Sequence, residues 1–236
     1  MTNPAVGLYE SGTIDRALGD TLRPGGLELT RRMAELLGMS QGRRVLDVAS
    51  GKGATVDLLS QEFGCLAVGL DRSRQLASTS AGGGRIVVGD AGTFPFADEA
   101  FDAVISECSL SLCPDKERAA MEMKRVLKPG GKLGITDVFL RADLPARFRS
   151  EAALAACIAG AMKLDEYVAL FERLGLVDVY VEDHTKELKQ AAWQIVSTYG
   201  TTESFLASSG RSGADEWRQM FKQGKPGYAL IVATRQ

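Results

Sequence analysis

The run VLDVASGKG at residues 45–53 constrains the fold more than any other stretch of the chain. Apolar residues lead to an acidic side chain, a glycine turn follows, and helical spacing runs from Ala54 to Phe63. That pattern is a buried strand feeding a tight loop that opens a helix. Glycine in such a loop lets backbone N–H groups come close to a ligand, because no Cβ stands in the way. A nucleotide-like cofactor is the expected occupant.

Strand and helix patterns alternate on both sides of this run. Strands are expected at 44–48, 65–70, 85–88, 101–106, 132–139, 177–182 and 228–234. Helices are expected at 27–37, at 54–63, from Arg72 for a short distance, and at 115–127. Lys128-Pro129-Gly130-Gly131 reads as a sharp turn into the fifth strand. Apolar strands alternating with helices mean a parallel sheet covered on both faces. The whole chain, 1–236, suits one domain. Residues 1–41 are a polar lead with a first helix, 42–140 the core, and 145–174 and 186–223 helical segments expected to cap the strand ends. Ligands in open parallel sheets bind at those ends.

The glycines narrow the ligand. A dinucleotide fingerprint on Gly51 and Gly53 requires a third glycine at position 56, which is Val56. There is no G-x-x-x-x-G-K-[ST] either, so the loop is not a triphosphate cradle. The second strand ends in Gly69-Leu70-Asp71, where a carboxylate can accept from both ribose hydroxyls. The third ends in Gly89-Asp90-Ala91, where a carboxylate can take an exocyclic amine. Alone, Asp71 could be a helix N-cap and Asp90 a turn cap. In order at successive strand ends, they fit one adenosine ligand.

VLDVASGKG, GLDRS, GDAGTFPF, FDAVISECSLSL and RVLKPGGKLGITD together resemble the motifs of the Rossmann-like (class I) S-adenosylmethionine-dependent methyltransferases, over about 42–140. The resemblance implies a seven-stranded, mostly parallel sheet with the last strand antiparallel, helices on both faces and a helical cap inserted after the fifth and sixth strands. It implies S-adenosylmethionine as cofactor, with S-adenosylhomocysteine as product. Asp47, Ala49, Ser50, Gly51 and Gly53 would form the loop at the methionine end, Asp71 and Arg72 would hold the ribose, and Asp90 and Ala91 the adenine. Ser106 and Glu107 would lie under the cofactor, facing the substrate.

A sulfonium methyl is already activated, so an enzyme of this kind mainly aligns nucleophile and methyl carbon. A base is needed only for an acceptor that carries a proton at working pH. Glu107 is the first candidate acid or base, with a cofactor or loop ligand as its other reading. The single histidine, His184, is the second, against a surface or turn role. The cysteines are Cys65, Cys108, Cys113 and Cys157, with no C-x-x-C spacing, so no structural metal is expected. SECSLSLCPDK and ACIAGAM are similar to segments of arsenite methyltransferases, which makes Cys108 and Cys157 candidate substrate residues. The chain departs from that family in having no cysteine before Cys65 or after Cys157. Trp193, Tyr199, Phe205, Trp217 and Phe221 either shape an apolar pocket or glue the cap to the core. Arg23-Pro24-Gly25-Gly26 either closes over the cofactor or simply opens the first helix.

A formal net charge of −2 provides no basic field for nucleic acid. No apolar run approaches the roughly 20 residues of a membrane span, and no signal pattern opens the chain. The expectation is a cytoplasmic methyltransferase acting on a small molecule, with thiols, metalloids and other soft nucleophiles as candidate acceptors. The rivals are an accessory or sensor protein that binds S-adenosylmethionine without turnover and, more weakly, a nicotinamide dehydrogenase. The oligomeric state is open.

Overall fold

A computed structural model describes residues 4–79, 85–148 and 157–236. Among the described residues eight strands form one sheet: β1 Arg44–Val48, β2 Leu66–Asp71, β3 Ile86–Val88, β4 Phe101–Glu107, β5 Leu127–Leu140, β6 Met162–Lys163, β7 Leu176–Asp183 and β8 Pro226–Arg235. Their order is β3-β2-β1-β4-β5-β8-β7, and β6 pairs with β5 beside that path. All pairings are parallel except those of β8, which runs antiparallel to β5 and β7. The chain is thus α/β with a Rossmann-like sheet, the expected seven strands plus the two-residue β6.

Alternation within the strands divides the core in two. Val45, Ala103, Ile105, Tyr228, Leu230 and Val232 face the helices Gly26–Leu37 and Ala54–Phe63. Leu46, Val48, Val104, Leu133, Ile135, Ala229 and Ile231 face Lys116–Val126 and Leu164–Arg173. Both faces are apolar because both are covered. On the first helix Leu29, Met33 and Leu37 recur at one-turn spacing and are buried.

The structure differs from the sequence expectations in three places. Residues 128–131 do not end a separate turn. They are absorbed into β5 as an irregularity, with Phe101 opposite Leu127 and Ala103 opposite Lys132. Of the segment 145–174, expected as capping helices, one helix packs on the sheet instead. Leu164–Arg173 buries Tyr167, Leu170 and Phe171 in the sheet layer, leaving Ala146–Phe148 and Cys157–Gly160 nearer the strand ends. Residues 149–156 of that segment lie outside the described residues. The polar lead, finally, is helical at Pro4–Glu10 and Thr13–Leu18.

Those two short helices share a third apolar cluster with the excursion before β8, where the helices are Thr185–Tyr199, Thr202–Ser208 and Ala214–Gly224. Leu8, Ile14 and Leu22 pack with Phe205, Leu206 and Ala214. Tyr199, Phe205 and Trp217 stack edge to face, with centroids 5.6 and 5.9 Å apart. Tyr199 Oη donates to the Thr13 carbonyl at 2.7 Å. These aromatics join the N-terminal segment to the excursion, whereas Trp193 stays exposed. Phe205, which is 1% exposed, is the centre of this cluster. Phe205→Ala is expected to lower unfolding free energy by about 3–5 kcal/mol in a denaturant titration. A loss under about 1 kcal/mol would show that the cluster does not anchor the cap.

Candidate functional site

The sheet order reverses between β1 and β4, and the carboxyl ends of β1, β2 and β4 lie level there. Val48 is opposite Leu70 on one side and Ser106 on the other. The loop leaving β1 turns through Ala49 at φ 60°, Gly51 at φ 54° and Gly53 at φ 85°, the last being the N-cap of the helix 54–63. Ala49 holds a left-handed conformation that costs a residue with a Cβ roughly 1–2 kcal/mol. Such strain persists only where the surroundings enforce it. Here the Ser50 N–H donates to the Leu70 carbonyl at 3.1 Å and the Gly51 N–H to Asp71 Oδ2 at 2.7 Å. Close packing completes the loop. A Cβ at Gly69 would lie 2.8 Å from Ser50 Cβ, so only glycine lets the loop settle onto β2.

A cavity of about 770 Å³ opens at this crevice. The size suits a cofactor-sized or drug-sized ligand. Its lining includes Asp47, Ala49, Ser50, Gly51, Asp71, Arg72, Asp90, Ala91, Glu107 and Cys108, ten of the positions expected from sequence. Asp71 is 7% exposed, and its Oδ1 accepts the Ser73 N–H at 2.8 Å. Burial raises its pKa, against the pull of those two backbone donors. Asp47 is raised well above the usual carboxylate range, first by burial and then by the Glu107 charge. Asp90 Oδ1 accepts the Gly92 N–H at 2.8 Å, shaping the turn after β3.

Glu107, at the end of β4, is enclosed. Arg23 Nη2 lies 2.7 Å from its Oε2, and the two side chains are 8% and 2% exposed. Thr55 Oγ1 donates to Oε2 at 2.7 Å and Thr30 Oγ1 to Oε1 at 3.0 Å. Arg23 Nη2 also donates to both threonine hydroxyls, at 2.6 and 2.8 Å. Arg23 and the two threonines thus hold the Glu107 carboxylate in place at the edge of the cavity. Lys52 of the glycine loop pairs with Asp15 and, at 3.0 Å, with Asp20, so the N-terminal segment is tied to the loop from outside as well. Tyr9, Asp20, Thr21, Leu22 and Arg23 from that segment form one wall of the cavity.

Four expected positions do not line it. Gly53 caps the helix behind the loop. Ser106 is fully buried against Ser109. His184 follows the carboxyl end of β7, its Nε2 3.1 Å from Glu182 Oε2 and its Nδ1 3.6 Å from Glu187, and it does not line the cavity. Cys157 stands just behind the wall, its sulfur 3.2 Å from Tyr9 Oη and 3.6 Å from Cys108 Sγ. Cys113, which does line the cavity, has its thiol pushed up to about 11, mainly by burial. Tyr9, Lys52, Thr30 and Thr55 were not singled out from sequence. The lone signals were the polar threonines on otherwise apolar helix faces. Among the described residues no group of three or more His, Cys, Asp and Glu side chains is arranged for a metal ion, and no helix is long and apolar enough to cross a membrane.

A glycine turn at the switch point, with carboxylates at successive strand ends, defines a Rossmann-like enzyme domain built for a nucleotide-bearing cofactor. The family model described as a methyltransferase domain matches residues 46–135. The methyltransferase GfsG of Streptomyces halstedii is 28% identical over 227 residues, covering 91% of this chain and 82% of that protein. An arsenite methyltransferase of Halobacterium salinarum is 32% identical over 162 residues, covering 63% of this chain and 41% of that one. The structure of Haemonchus contortus phosphoethanolamine N-methyltransferase 2 in complex with S-adenosyl-L-methionine superposes with a TM-score of 0.78 at 20% identity, covering 98% of this chain and 57% of that one. The chain therefore spans most of the first relative and about half of the other two. The match over residues 46–135 and these likenesses support an S-adenosylmethionine-dependent methyltransferase, with S-adenosylmethionine as cofactor.

The cavity's lining suits that cofactor. Asp71, Asp90 and Arg72 line the cavity with charged groups, and the glycine turn brings backbone close to it, as an adenosine bearing an amino-acid tail requires. Replacing Glu107 by Gln leaves the Arg23 charge buried beside a neutral amide. Glu107→Gln is expected to cost about 3–5 kcal/mol of unfolding free energy at neutral pH. A loss below about 1 kcal/mol in the same titration would mean that the pair is screened by water.

Proposed function

We propose that this chain transfers the methyl group of S-adenosylmethionine to a small-molecule acceptor held at the Tyr9–Cys108–Cys113 end of the cavity. One observation carries the reading. One cavity is lined by Asp71 and Asp90, by Glu107, and by Tyr9, Cys108, Leu112 and Cys113. In this reading the loop 49–53 and Glu107 frame the methionine end, Asp71 and Arg72 the ribose, and Asp90 and Ala91 the adenine. The cofactor supplies a methyl group already activated on a sulfonium sulfur. The chain's own work is then to hold the acceptor in line and to exclude water, which the N-terminal wall does by covering the crevice. Glu107 contributes by fixing Arg23 and the loop helix, and His184 takes no part.

The sulfurs of Cys108 and Cys157 beside the wall support a finer reading, in which the acceptor is a thiol, a metalloid or another soft nucleophile. The likeness to arsenite methyltransferases supports the same reading. Free thiols at all four cysteines suit a reducing compartment such as the cytoplasm, and the mildly acidic surface suits a small-molecule partner over nucleic acid.

Titration calorimetry should show S-adenosylmethionine binding that Asp71→Ala weakens by about 1–3 kcal/mol, since hydrogen bonds to a charged group are lost. Unchanged affinity removes Asp71 from the ribose role. Release of S-adenosylhomocysteine is expected with at least one member of a panel of thiols, phenols, amines and arsenite. Cofactor binding with no release across the panel would replace the enzyme reading by that of a sensor or accessory protein. If the acceptor is soft, Cys157→Ser lowers its turnover while turnover of other acceptors stays unchanged.

A further inference from the structure

The sulfurs of Cys108 and Cys157 lie 3.6 Å apart although the residues are 49 positions apart in the chain. One stands on the loop just after β4 and the other opens the short helix Cys157–Gly160. Cys108 is 8% exposed, lines the cavity and holds φ at 54°, with its N–H donating to the Thr136 carbonyl at 2.6 Å. The backbone thus fixes the direction of one sulfur, and the other meets it. A disulfide needs a sulfur separation near 2.05 Å, roughly 1.6 Å shorter than the contact here. A change of that size is within reach of rotation about χ1 of the two cysteines. We propose that Cys108 and Cys157 are a dithiol modification site that hydroperoxides oxidise to a disulfide at the wall of the cofactor cavity.

The two sulfurs differ in a way that sets their roles. Hydrogen bonds from the Cys108 thiol and from Tyr9 Oη converge on Cys157 and pull its thiol pKa below the ordinary value. The Cys108 thiol is held well above its own, by its bond to Cys157 and by burial. Cys157 is the nucleophile. Its thiolate attacks one oxygen of hydrogen peroxide, the O–O bond breaks, and sulfenic acid and hydroxide form, the hydroxide taking up the proton that Cys157 gave off. The Cys108 sulfur then attacks the Cys157 sulfur, the S–O bond breaks, and hydroxide leaves with the Cys108 proton as water. Two thiols lose two electrons, one peroxide gains them, and two waters result. A dithiol reductant reverses the change. Cys157 is the less buried of the two residues, so peroxide has an approach to it that does not run through the cavity. Closing the bond moves Cys157 away from Tyr9 and ties the loop after β4 to the helix at 157. The site stands whatever the methyl acceptor proves to be.

The test uses the full chain, reduced, freed of reductant and treated with hydrogen peroxide. Free thiols counted after denaturation should fall from the four of the sequence to two. A protease digest should contain one cross-linked peptide joining Cys108 to Cys157, and dithiothreitol should restore all four thiols. In Cys108→Ser, a dimedone adduct should form on Cys157. In Cys157→Ser, Cys108 should label at least fivefold more slowly. Retention of four thiols, a link through Cys65 or Cys113, or faster labelling of Cys108 than of Cys157 would each overturn the assignment. Both variants should keep the cooperative unfolding transition, which separates loss of the site from loss of the fold.

Discussion

Arg23 pairs directly with Glu107, two threonine hydroxyls bridge the same groups, and four parts of the molecule meet at that contact. Arg23 ends the N-terminal segment, Thr30 belongs to the first long helix, Thr55 to the helix behind the glycine loop, and Glu107 to the tip of β4. Each charge is nearly dry. In such surroundings a lone charge is expensive, so each partner fixes the other, and the threonines satisfy the remaining oxygens. The pair therefore sets where the N-terminal wall stands relative to the crevice. Lys52, bound to Asp15 and Asp20, repeats the tie at the surface, where solvent weakens it.

The cavity follows from this arrangement and from the sheet. Parallel strands end level at the point where the order reverses, and the loop after β1 cannot reach across without left-handed turns. Gly51 and Gly53 adopt them easily, Ala49 under constraint. Asp71 holds the loop and the start of the next helix with the same carboxylate, through the Gly51 and Ser73 N–H groups. Its place is thus dictated by folding before any ligand arrives. The carboxylates at the strand ends are costly to bury, as the raised pKa values of Asp47 and Asp71 record. In the proposed reading, donors on the cofactor offset that cost.

Much of this was legible in the sequence because it is local. The strand–turn–helix pattern at 44–63, Asp71 and Asp90 each sit within a few residues of the elements that position them, and period and glycine placement reveal those elements. What was missed depends on distant partners. The helices Pro4–Glu10 and Thr13–Leu18 are too short to declare an apolar face, and Leu8 and Ile14 are buried only because Phe205 and Leu206 arrive from the far end of the chain. Leu164–Arg173 has a clear amphipathic pattern, yet nothing local says whether its apolar side meets the sheet or the cap. His184 draws notice as the one histidine, and it lies beside Glu182 and Glu187, outside the cavity lining. Glu107 was picked for its position at the end of β4. Its enclosure came from Arg23, a residue that reads in sequence as part of a turn.

The central claim is that Arg23 and Glu107 act as one unit in holding the N-terminal wall over the cofactor. A double-mutant cycle on Arg23→Met and Glu107→Gln, read by the affinity for S-adenosylhomocysteine in titration calorimetry, tests it most directly. If the claim is right, each single variant loses nearly as much affinity as the double, with a coupling energy of about 1.5 kcal/mol or more. Losses that add to within about 0.5 kcal/mol would contradict it, because two independent residues behave that way.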